Sequence, residues 1–247
     1  MKVFYLNCHR LLKHNKNGQR DWLVKTVLEH NVDVVCLSES SNYDFAEAMP
    51  NPGIFPKKYR WIAPPSTLSK MGYKLNLCSK LPVTYESIDY TVSPGLYGDK
   101  DAETAADYST GTMISMKFDD LGYEIIPVHL QHKQSRSQTL SPKNAYYELG
   151  LQKLREYMLE HKPIAVFGDF NNYPDDKSFL ALTDDTGYQR IASDDVSFTY
   201  KNNPKDDFGL VIDHTFTNHK NVYMEYILSM EHGFDHHGML ITIDNPQ

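Results

Sequence analysis

An apolar run, Pro163-Ile164-Ala165-Val166-Phe167, ends in the polar island Gly168-Asp169-Phe170-Asn171. The run has the length and composition of a buried β-strand, so the island is expected at a strand end. Polar residues also stand at the tips of other apolar runs: Asn7, Glu39, His129, Ile212-Asp213-His214 and Asp235-His236. Together these islands predict one site assembled from the whole chain, although no single island would carry that prediction.

Residue alternation and short Val/Ile-rich runs predict mainly strands. We expect them near residues 2–6, 32–37, 59–63, 74–79, 83–88, 112–118, 123–130, 164–168, 209–216, 222–228 and 238–243. Helices are expected at 22–30, capped by Asp21, from Ser141-Pro142 to about Glu160, and at 176–182. Strands with interspersed helices predict a layered α/β domain with two packed sheets and helices outside.

The 247 residues are expected to form one domain, residues 1–247. The candidate residues run from Asn7 to His236 without a Pro/Gly/Ser linker, so a boundary would divide the proposed site. No apolar stretch is long enough to cross a bilayer, and no signal-peptide core follows Met1, so we expect cytoplasmic residence without membrane insertion. The three cysteines lack a CxxC pair and are expected to be core thiols. No obligate protein partner is indicated.

The charge distribution suggests local contacts with an anion rather than a general affinity for nucleic acid. The formal net charge is -7, which argues against a coat protein for nucleic acid. Two segments without acidic residues nevertheless border the islands, and they contain the candidate substrate-binding residues Arg10, Lys13, Lys133 and Arg136. These segments could bind a polyanionic backbone, or they could be ordinary solvated surface.

The residue types in the islands suit metal-assisted hydrolysis of a phosphodiester. This reaction needs neutralised charge on the phosphoryl oxygens, an activated water and a stabilised leaving oxygen. Mg²⁺ prefers carboxylate and amide oxygens, which are available from Glu39, Asp169, Asn171, Asn7 and Asp235. His129 and His236 could supply positive charge or transfer protons. Residues i and i+2 at a strand end project to the same side, so Asp169 and Asn171 are expected to face one ligand together. Taken alone, the Asp-x-Asn of residues 169–171 is more typical of a turn.

A second feature is the pairing of acidic residues with histidines late in the chain. A carboxylate bonded to one imidazole nitrogen fixes the tautomer and leaves the other nitrogen for chemistry. We therefore hypothesise that Asp213 orients His236, while Asp235 faces the metal ion or the attacking water. His214 and His237 are then structural or peripheral.

The islands resemble the endonuclease/exonuclease/phosphatase superfamily, which includes deoxyribonuclease I and the abasic-site endonucleases. The matching segments occur in the family's order and span nearly the entire chain: Tyr5-Leu6-Asn7, Val34-Val35-Cys36-Leu37-Ser38-Glu39, Cys78-Ser79-Lys80-Leu81-Pro82, Val128-His129-Leu130, Gly168-Asp169-Phe170-Asn171, Ile212-Asp213-His214 and Asp235-His236. The set is specific, whereas each segment alone is weak.

This resemblance implies a four-layered α/β sandwich with its site at one edge of the two sheets and a dependence on Mg²⁺ or Mn²⁺. It also implies roles for the residues: Glu39 as the principal metal ligand with Asn7 and Asp235 near the metal, Asp169 and Asn171 positioning water and phosphate, His129 and His236 contacting the scissile phosphate, and Asp213 supporting His236. Two positions depart from the family pattern, because Ser38 stands where Gln is usual and Phe234 where Ser is usual.

The leading prediction is a metal-dependent phosphodiester hydrolase that acts as a nuclease, with endonuclease and exonuclease cleavage both open. The first alternative is a lipid or small-molecule phosphoesterase on the same fold, because fold does not determine substrate. The second alternative is a non-catalytic binding module. DNA and RNA are equally open as substrates of the nuclease.

Overall fold

The structure is a computed structural model that describes residues 1–8, 18–41, 58–62, 73–88, 112–130, 142–191, 196–202 and 208–244. The strands in these ranges are β1 (Lys2–Asn7), β2 (Val34–Ser41), β3 (Arg60–Ile62), β4 (Tyr73–Ser79), β5 (Thr84–Ser87), β6 (Thr112–Phe118), β7 (Tyr123–His129), β8 (Ala165–Asp169), β9 (Gln189–Ile191), β10 (Asp213–Thr217), β11 (Val222–Ile227) and β12 (Gly238–Ile243). The α-helices are α1 (Gln19–Glu29), α2 (Pro142–His161) and α3 (Leu180–Thr183).

The strands form two six-stranded sheets, which we call sheet A and sheet B. Sheet A has the order β11-β12-β1-β2-β4-β3, and sheet B has the order β5-β6-β7-β8-β10-β9. Each sheet is mixed: β1 pairs in parallel with β2, and β7 with β8, while the other pairs are antiparallel.

Strand β1 is apolar on both faces because one face packs in the core between the sheets and the other packs on the outer side, toward α1. Val3 and Tyr5 pack against residues of sheet B such as Phe167, whereas Phe4 and Leu6 face the opposite way. Successive strand residues point to opposite faces, so a strand that is covered on both sides needs a continuous apolar run.

Helices cover the outer faces of the two sheets. Leu23 and Val27 of α1 belong to the cluster on the outer face of sheet A. Leu151 and Leu154 of α2 pack on sheet B with Phe216. The molecule therefore has the predicted four layers, helix, sheet, sheet and helix.

Local features depart from the prediction at three points. Helix α1 begins at Gln19 after Gly18, which has a left-handed φ of 73° and no side-chain cap, so the predicted cap by Asp21 is wrong. The third predicted helix is a 3₁₀ turn followed by the short α3, and Asp176 caps it by accepting a hydrogen bond from Ser178 N. Strand β9 was not predicted.

Two further predictions concern the cysteines and membrane-spanning helices. Cys8, Cys36 and Cys78 are buried thiols that are not joined in disulfides, as expected of core thiols. None of the helices in the described ranges is both long enough and apolar enough to cross a bilayer.

Candidate active site

Sheet A supplies the first two candidate residues, with Asn7 at the end of β1 and Glu39 within β2, the parallel neighbour of β1. Asn7 is the last residue of β1 and pairs in register with Ser38 of β2, directly before Glu39. The register of β2 against β4 shifts between Leu37 and Ser40, and Glu39 has a left-handed φ of 50°. This irregularity gives the Glu39 side chain a direction different from the one it would have in a regular strand.

Sheet B delivers the remaining core of the site through three adjacent strands. His129 ends β7 and Asp169 ends β8, and the parallel register pairs them directly. Asp213 begins the antiparallel β10 and also pairs with Asp169. Three polar residues on neighbouring strands therefore share one sheet edge.

The backbone at Gly168 allows these strands to approach closely. Gly168 has a φ of 141°, and a Cβ atom built there would lie 2.0 Å from the carbonyl oxygen of Val128. A side chain at this position would therefore clash with backbone, which explains why glycine precedes Asp169.

Asn7 links the two sheets at the site. Its Nδ2 donates a hydrogen bond to Asp169 Oδ2 at 2.9 Å and another to Glu39 Oε1 at 3.2 Å. One amide group thereby holds a carboxylate from each sheet, and the site lies across the sheet edges as predicted.

His129 is held between the same two carboxylates. Its Nε2 lies 3.3 Å from Glu39 Oε1 and 3.9 Å from Asp169 Oδ2. Burial disfavours the protonated ring, but hydrogen bonding to Glu39 and the charges of Glu39 and Asp169 outweigh burial and raise the pKa of His129. The ring is thus biased toward the charged form.

Asp213 and His236 form the predicted carboxylate–imidazole pair. Asp213 Oδ2 accepts a hydrogen bond from His236 Nδ1 at 2.9 Å, and both side chains are buried. Burial opposes the charged imidazole, yet the negative charge and hydrogen bond of Asp213, with the charges of Asp169 and Asp235, raise the pKa of His236 to about 10. The other ring nitrogen, Nε2, lies 3.9 Å from Asp169 Oδ2.

Asp169 is the centre of the site and titrates nearer neutrality than an ordinary aspartate. Burial first, and then the negative charge of Asp213, raise the pKa of Asp169 to about 6, although His236, His129 and the Asn7 hydrogen bond oppose the rise. A carboxyl with such a pKa is mostly ionised at pH 7 and can still accept a proton.

Asn171 lies beside Asp169 but is not aligned with it by strand alternation, which differs from the expectation. The strand ends at Asp169, and Asn171 has a left-handed φ of 50°. Asp169 Oδ1 accepts a hydrogen bond from Asn171 N at 2.7 Å, and Asn171 Nδ2 donates to the carbonyl of Leu130 at 2.8 Å. The residues after the strand therefore form the turn that was the alternative interpretation.

A short segment that the sequence analysis missed fixes the Asp213–His236 pair. The Thr199 hydroxyl accepts hydrogen bonds from the N–H groups of Ile212 at 3.0 Å and Asp213 at 3.1 Å. The Thr199 carbonyl accepts from His237 N at 2.8 Å. Thr199 thus contacts both chain segments that carry the pair, and a lone Thr after an aromatic residue offers no sequence signal for this role.

Tyr200 is a second missed residue. Its ring centroid lies 4.7 Å from that of His236, and the ring planes are inclined by 46°. Burial and the negative charges of Asp235, Asp169 and Glu39 raise the pKa of Tyr200. An aromatic face therefore borders the candidate site.

His214, which the sequence analysis assigned as structural, lies behind the site. Its Nε2 donates to the carbonyl of Asn172 at 2.9 Å, and its Nδ1 accepts from Arg190 Nη1 at 3.3 Å. The ring also contacts Phe170 and Phe179 edge-on. Burial lowers the pKa of His214 to about 4.

The donor set at the site fits a hard divalent cation. Single ligand atoms of Glu39, His129 and Asp169 lie within 4.8 Å of one another, and so do those of Asp169, Asp213 and His236. Mg²⁺ in proteins commonly uses one or two carboxylates and retains several waters, so Glu39 with one further oxygen ligand is sufficient and Asp169 remains available for another role. The amide of Asn7 touches both.

The five remaining predicted site residues are Asp235 and four basic residues. Asp235 precedes His236 and its charge acts on that ring, but its carboxylate belongs to neither group of clustered ligand atoms in the described ranges. The predicted substrate-binding residues Arg10, Lys13, Lys133 and Arg136 lie outside the described residues.

Comparison with known proteins bears on the family and the fold. A sequence model for the Endonuclease/Exonuclease/phosphatase family matches residues 5–230. A search of curated proteins found no match.

Solved structures share the fold over nearly their whole length. They include an AP endonuclease from Archaeoglobus fulgidus, with 13% identity, coverage of 99% of both chains and a TM-score of 0.65. D. rerio TDP2 complexed with a single-strand DNA product has 15% identity, coverage of 98% of this chain and 97% of that chain, and a TM-score of 0.64. The Bacteroides thetaiotaomicron mannosyl-6-phosphatase Bt3783 has 15% identity, coverage of 98% of both chains and a TM-score of 0.60. At these identities the similarity demonstrates the fold alone.

Proposed function

Because the chain belongs to the endonuclease/exonuclease/phosphatase family, we propose that it is a divalent-metal-dependent phosphodiester hydrolase whose substrate is a nucleic acid. The observation that carries this proposal is the convergence of Glu39 from sheet A, Asp169 from sheet B and His236 from the segment before β12. We also propose that residues 1–247 form one domain and that the protein is cytoplasmic.

Asp169 is the proposed base that accepts a proton from the attacking water. Its pKa of about 6 keeps it ionised at pH 7 while leaving it basic enough to take a proton. Attack in line with the leaving oxygen moves negative charge onto the phosphoryl oxygens. In this proposal Asn171 fixes the Asp169 side chain through its backbone N–H.

The two histidines next to Asp169 are the proposed source of positive charge. His236 is held by Asp213 through Nδ1, so only Nε2 faces Asp169 and the reacting phosphate. His129 Nε2 lies 3.9 Å from the same oxygen atom, Asp169 Oδ2. Preorganised positive groups stabilise developing negative charge strongly because they need no reorganisation during the reaction.

The proposed metal ligands are Glu39, Asn7 and Asp235, with Mg²⁺ as the ion and Mn²⁺ as a substitute. Glu39 is the principal ligand because its carboxylate lies at the junction of the sheets, against both Asn7 and His129. When bound, the ion would polarise the phosphoryl oxygens and stabilise charge on them.

Two observations favour a nucleic acid as substrate. The first is the pair of acid-free basic segments that border Asn7 and His129 in the sequence. The second is that D. rerio TDP2, which shares the fold, is described as complexed with a single-strand DNA product. The comparable similarity of a mannosyl-6-phosphatase favours a small-molecule phosphoester as the second candidate.

The first test removes the two groups on which the mechanism depends. Glu39→Ala and His236→Ala should each abolish hydrolysis in Mg²⁺ while the far-ultraviolet circular dichroism of the wild type is retained. Glu160→Ala, which changes a carboxylate whose side chain is 78% exposed, is the control and should be fully active. Substrates are supercoiled plasmid, labelled single-stranded and duplex oligonucleotides, phospholipids and sugar phosphates.

Full activity of either variant, or undiminished turnover in excess chelator, would overturn the mechanism. Release of phosphate from sugar phosphates or of headgroups from lipids, without cleavage of any nucleic acid, would assign the second candidate. Saturable Mg²⁺ binding without hydrolysis of any substrate would instead support a binding module.

The basic segments can be tested through the salt dependence of binding. Replacing Lys133 and Arg136 by Gln should weaken binding of an oligonucleotide and reduce the slope of log K against log salt by about one unit for each phosphate that is no longer neutralised. The same change is expected for Lys13 with Lys16. An unchanged slope would mean that these charges are only solvated.

A further inference from the structure

The hydroxyl group of Tyr5 connects the two sheets directly beneath the candidate site. Tyr5 is fully buried on β1 of sheet A. Its hydroxyl oxygen accepts a hydrogen bond from the backbone N–H of Asp169 in sheet B at 2.9 Å. It also lies 2.7 Å from Ser38 Oγ on β2, in a second hydrogen bond.

Each hydrogen-bond partner of the Tyr5 hydroxyl adjoins or belongs to a residue that is proposed to bind the metal ion or to act at the phosphate. Ser38 directly precedes Glu39 and pairs in register with Asn7. Asp169 carries the central carboxylate itself. The Tyr5 hydroxyl therefore bonds to the Ser38 side chain and to the Asp169 backbone. These two residues adjoin or belong to the cluster formed by Glu39, Asn7 and Asp169.

The tyrosine ring is suited to this role by its length. Packed sheets lie about 10 Å apart, so the short Ser38 side chain cannot reach sheet B by itself. The Tyr5 ring spans the gap and is held edge-on against Phe167, with ring centroids 6.1 Å apart. Ser38 departs from the Gln that is usual in the family, and Tyr5 supplies the inter-sheet link at this position.

The Tyr5 hydroxyl can make both hydrogen bonds at once. Its oxygen accepts from Asp169 N–H, and one proton is shared with the Ser38 hydroxyl.

We propose that Tyr5 is a positioning residue whose hydroxyl sets the separation between Glu39 and Asp169 and thereby the affinity of the site for a divalent metal ion. Tyr5 is fully buried, so it acts through Ser38 and Asp169 and not by touching substrate. The inference rests on the proposed function, because it assumes that Glu39 and Asn7, which is hydrogen-bonded to Asp169, hold a metal ion.

The test removes one hydroxyl group at two different places. Tyr5→Phe deletes the link and preserves the ring. Tyr59→Phe is the matched control, because Tyr59 is also buried and donates its hydroxyl proton to the carbonyl of Val32 at 2.6 Å, away from the described site residues. Both variants should lose stability, since each leaves a buried backbone group without its partner.

Only Tyr5→Phe should change the metal site. Mn²⁺ is titrated calorimetrically into metal-free protein, and the Mn²⁺ concentration for half-maximal hydrolysis of bis(4-nitrophenyl) phosphate is measured in parallel. We expect the dissociation constant for Mn²⁺ to rise about tenfold in Tyr5→Phe, as is typical when a group that orients a metal ligand is removed, and to stay unchanged in Tyr59→Phe.

Ser38 provides a second, independent variant. Ser38→Ala removes one arm of the network without touching the ring, and it should weaken Mn²⁺ binding in the same direction, while Ser38→Thr, which keeps a hydroxyl, should restore it. Tyr5→Phe combined with Ser38→Ala should bind Mn²⁺ no more weakly than Tyr5→Phe alone, because both changes break one network.

The outcomes separate this inference from the proposed function. Wild-type protein that binds no Mn²⁺ and hydrolyses no phosphodiester overturns the proposed metal site, and the role of Tyr5 with it. Wild-type protein that binds Mn²⁺ with the same affinity as Tyr5→Phe and Ser38→Ala leaves the proposed function intact and overturns only the positioning role.

Discussion

Two buried histidines beside Asp213 differ in their electrostatics. His236 bonds to the Asp213 carboxylate between the sheets, whereas His214 follows Asp213 in β10 and points to the outer face of sheet B. Their exposures are 3% and 0%, so burial disfavours the charged form of both rings. Nevertheless the pKa of His236 is raised to about 10, while that of His214 is lowered to about 4.

The difference lies in the partner of each ring. His236 faces carboxylates, which stabilise a positive charge. His214 faces the carbonyl of Asn172 and the guanidinium of Arg190, and Arg190 adds positive charge where a second one is unfavourable. Burial opposes the charge on both rings, and only His236 has enough negative charge around it to overcome burial, so His236 is biased toward the cation and His214 toward the neutral form.

Removing the carboxylate partner should produce the largest effect. Asp213→Asn keeps the shape of the side chain but removes its charge, so the pKa of His236 should fall sharply. Hydrolysis should slow by up to about ten-thousandfold, the loss seen when the aspartate of a serine-protease triad becomes asparagine. The pKa can be followed by NMR of the imidazole in metal-free protein. An unchanged pKa would mean that Asp213 is not the group that charges His236, and the exposed Asp184→Asn is the control.

An intermediate effect is expected on stability at acid pH. The folded-state pKa of His214, about 4, is below its ordinary value of 6.5, so its contribution to stability is complete above pH 6.5 and is lost as the pH falls toward 4. The loss amounts to about 3 kcal/mol of unfolding free energy. His236 has the opposite sign, because its raised pKa adds stability below pH 6.5 that is lost as the pH rises through about 10.

His214→Gln isolates that contribution. Glutamine can donate to Asn172 and accept from Arg190 without titrating, so the variant should lose less unfolding free energy than the wild type between pH 6.5 and 4. Urea unfolding across this range measures the difference, in which contributions from other titrating groups cancel. Equal losses in both proteins would show that His214 is already charged when folded.

The smallest effect is expected from Arg190. Burial is the main cause of the low pKa of His214, and the positive charge of Arg190 lowers it further. Arg190→Gln should therefore raise the pKa of His214 modestly and leave both the pKa of His236 and the rate of hydrolysis unchanged. A loss of hydrolysis in this variant would show that Arg190 affects the candidate site around His236 as well as His214.

Much of the fold was predictable because most strands are buried on at least one face. The runs around Phe4, Val35 and Val166 are long, apolar and rich in β-formers, and each is a strand. Strand β9 was missed because Gln189-Arg190-Ile191 has neither an apolar run nor an alternation long enough to register. The start of α1 was misplaced because Gly18 begins it through a left-handed backbone, which no capping side chain announces.

The candidate site was predictable in its residue types and less so in its supports. Asn7, Glu39, His129, Asp169, Asp213 and His236 converge as expected. Tyr5, Thr199 and Tyr200 act through hydrogen bonds or ring contacts with residues far away in the chain, and their own sequence context looks like ordinary core or loop. The turn at Asn171 also required the structure, because an Asp-x-Asn sequence suits both a strand end and a turn.

The amino-acid sequence by itself determined the fold class and the chemical groups available, because strand periodicity and polar strand ends are properties of residues that are close in the chain. Tertiary structure alone decided which groups meet. Asn7 bonds to a carboxylate 162 positions away, and His236 to one 23 positions away. Only that folding in space decides that His236 is charged and His214 is neutral, since a pKa depends on distances to charges and on burial.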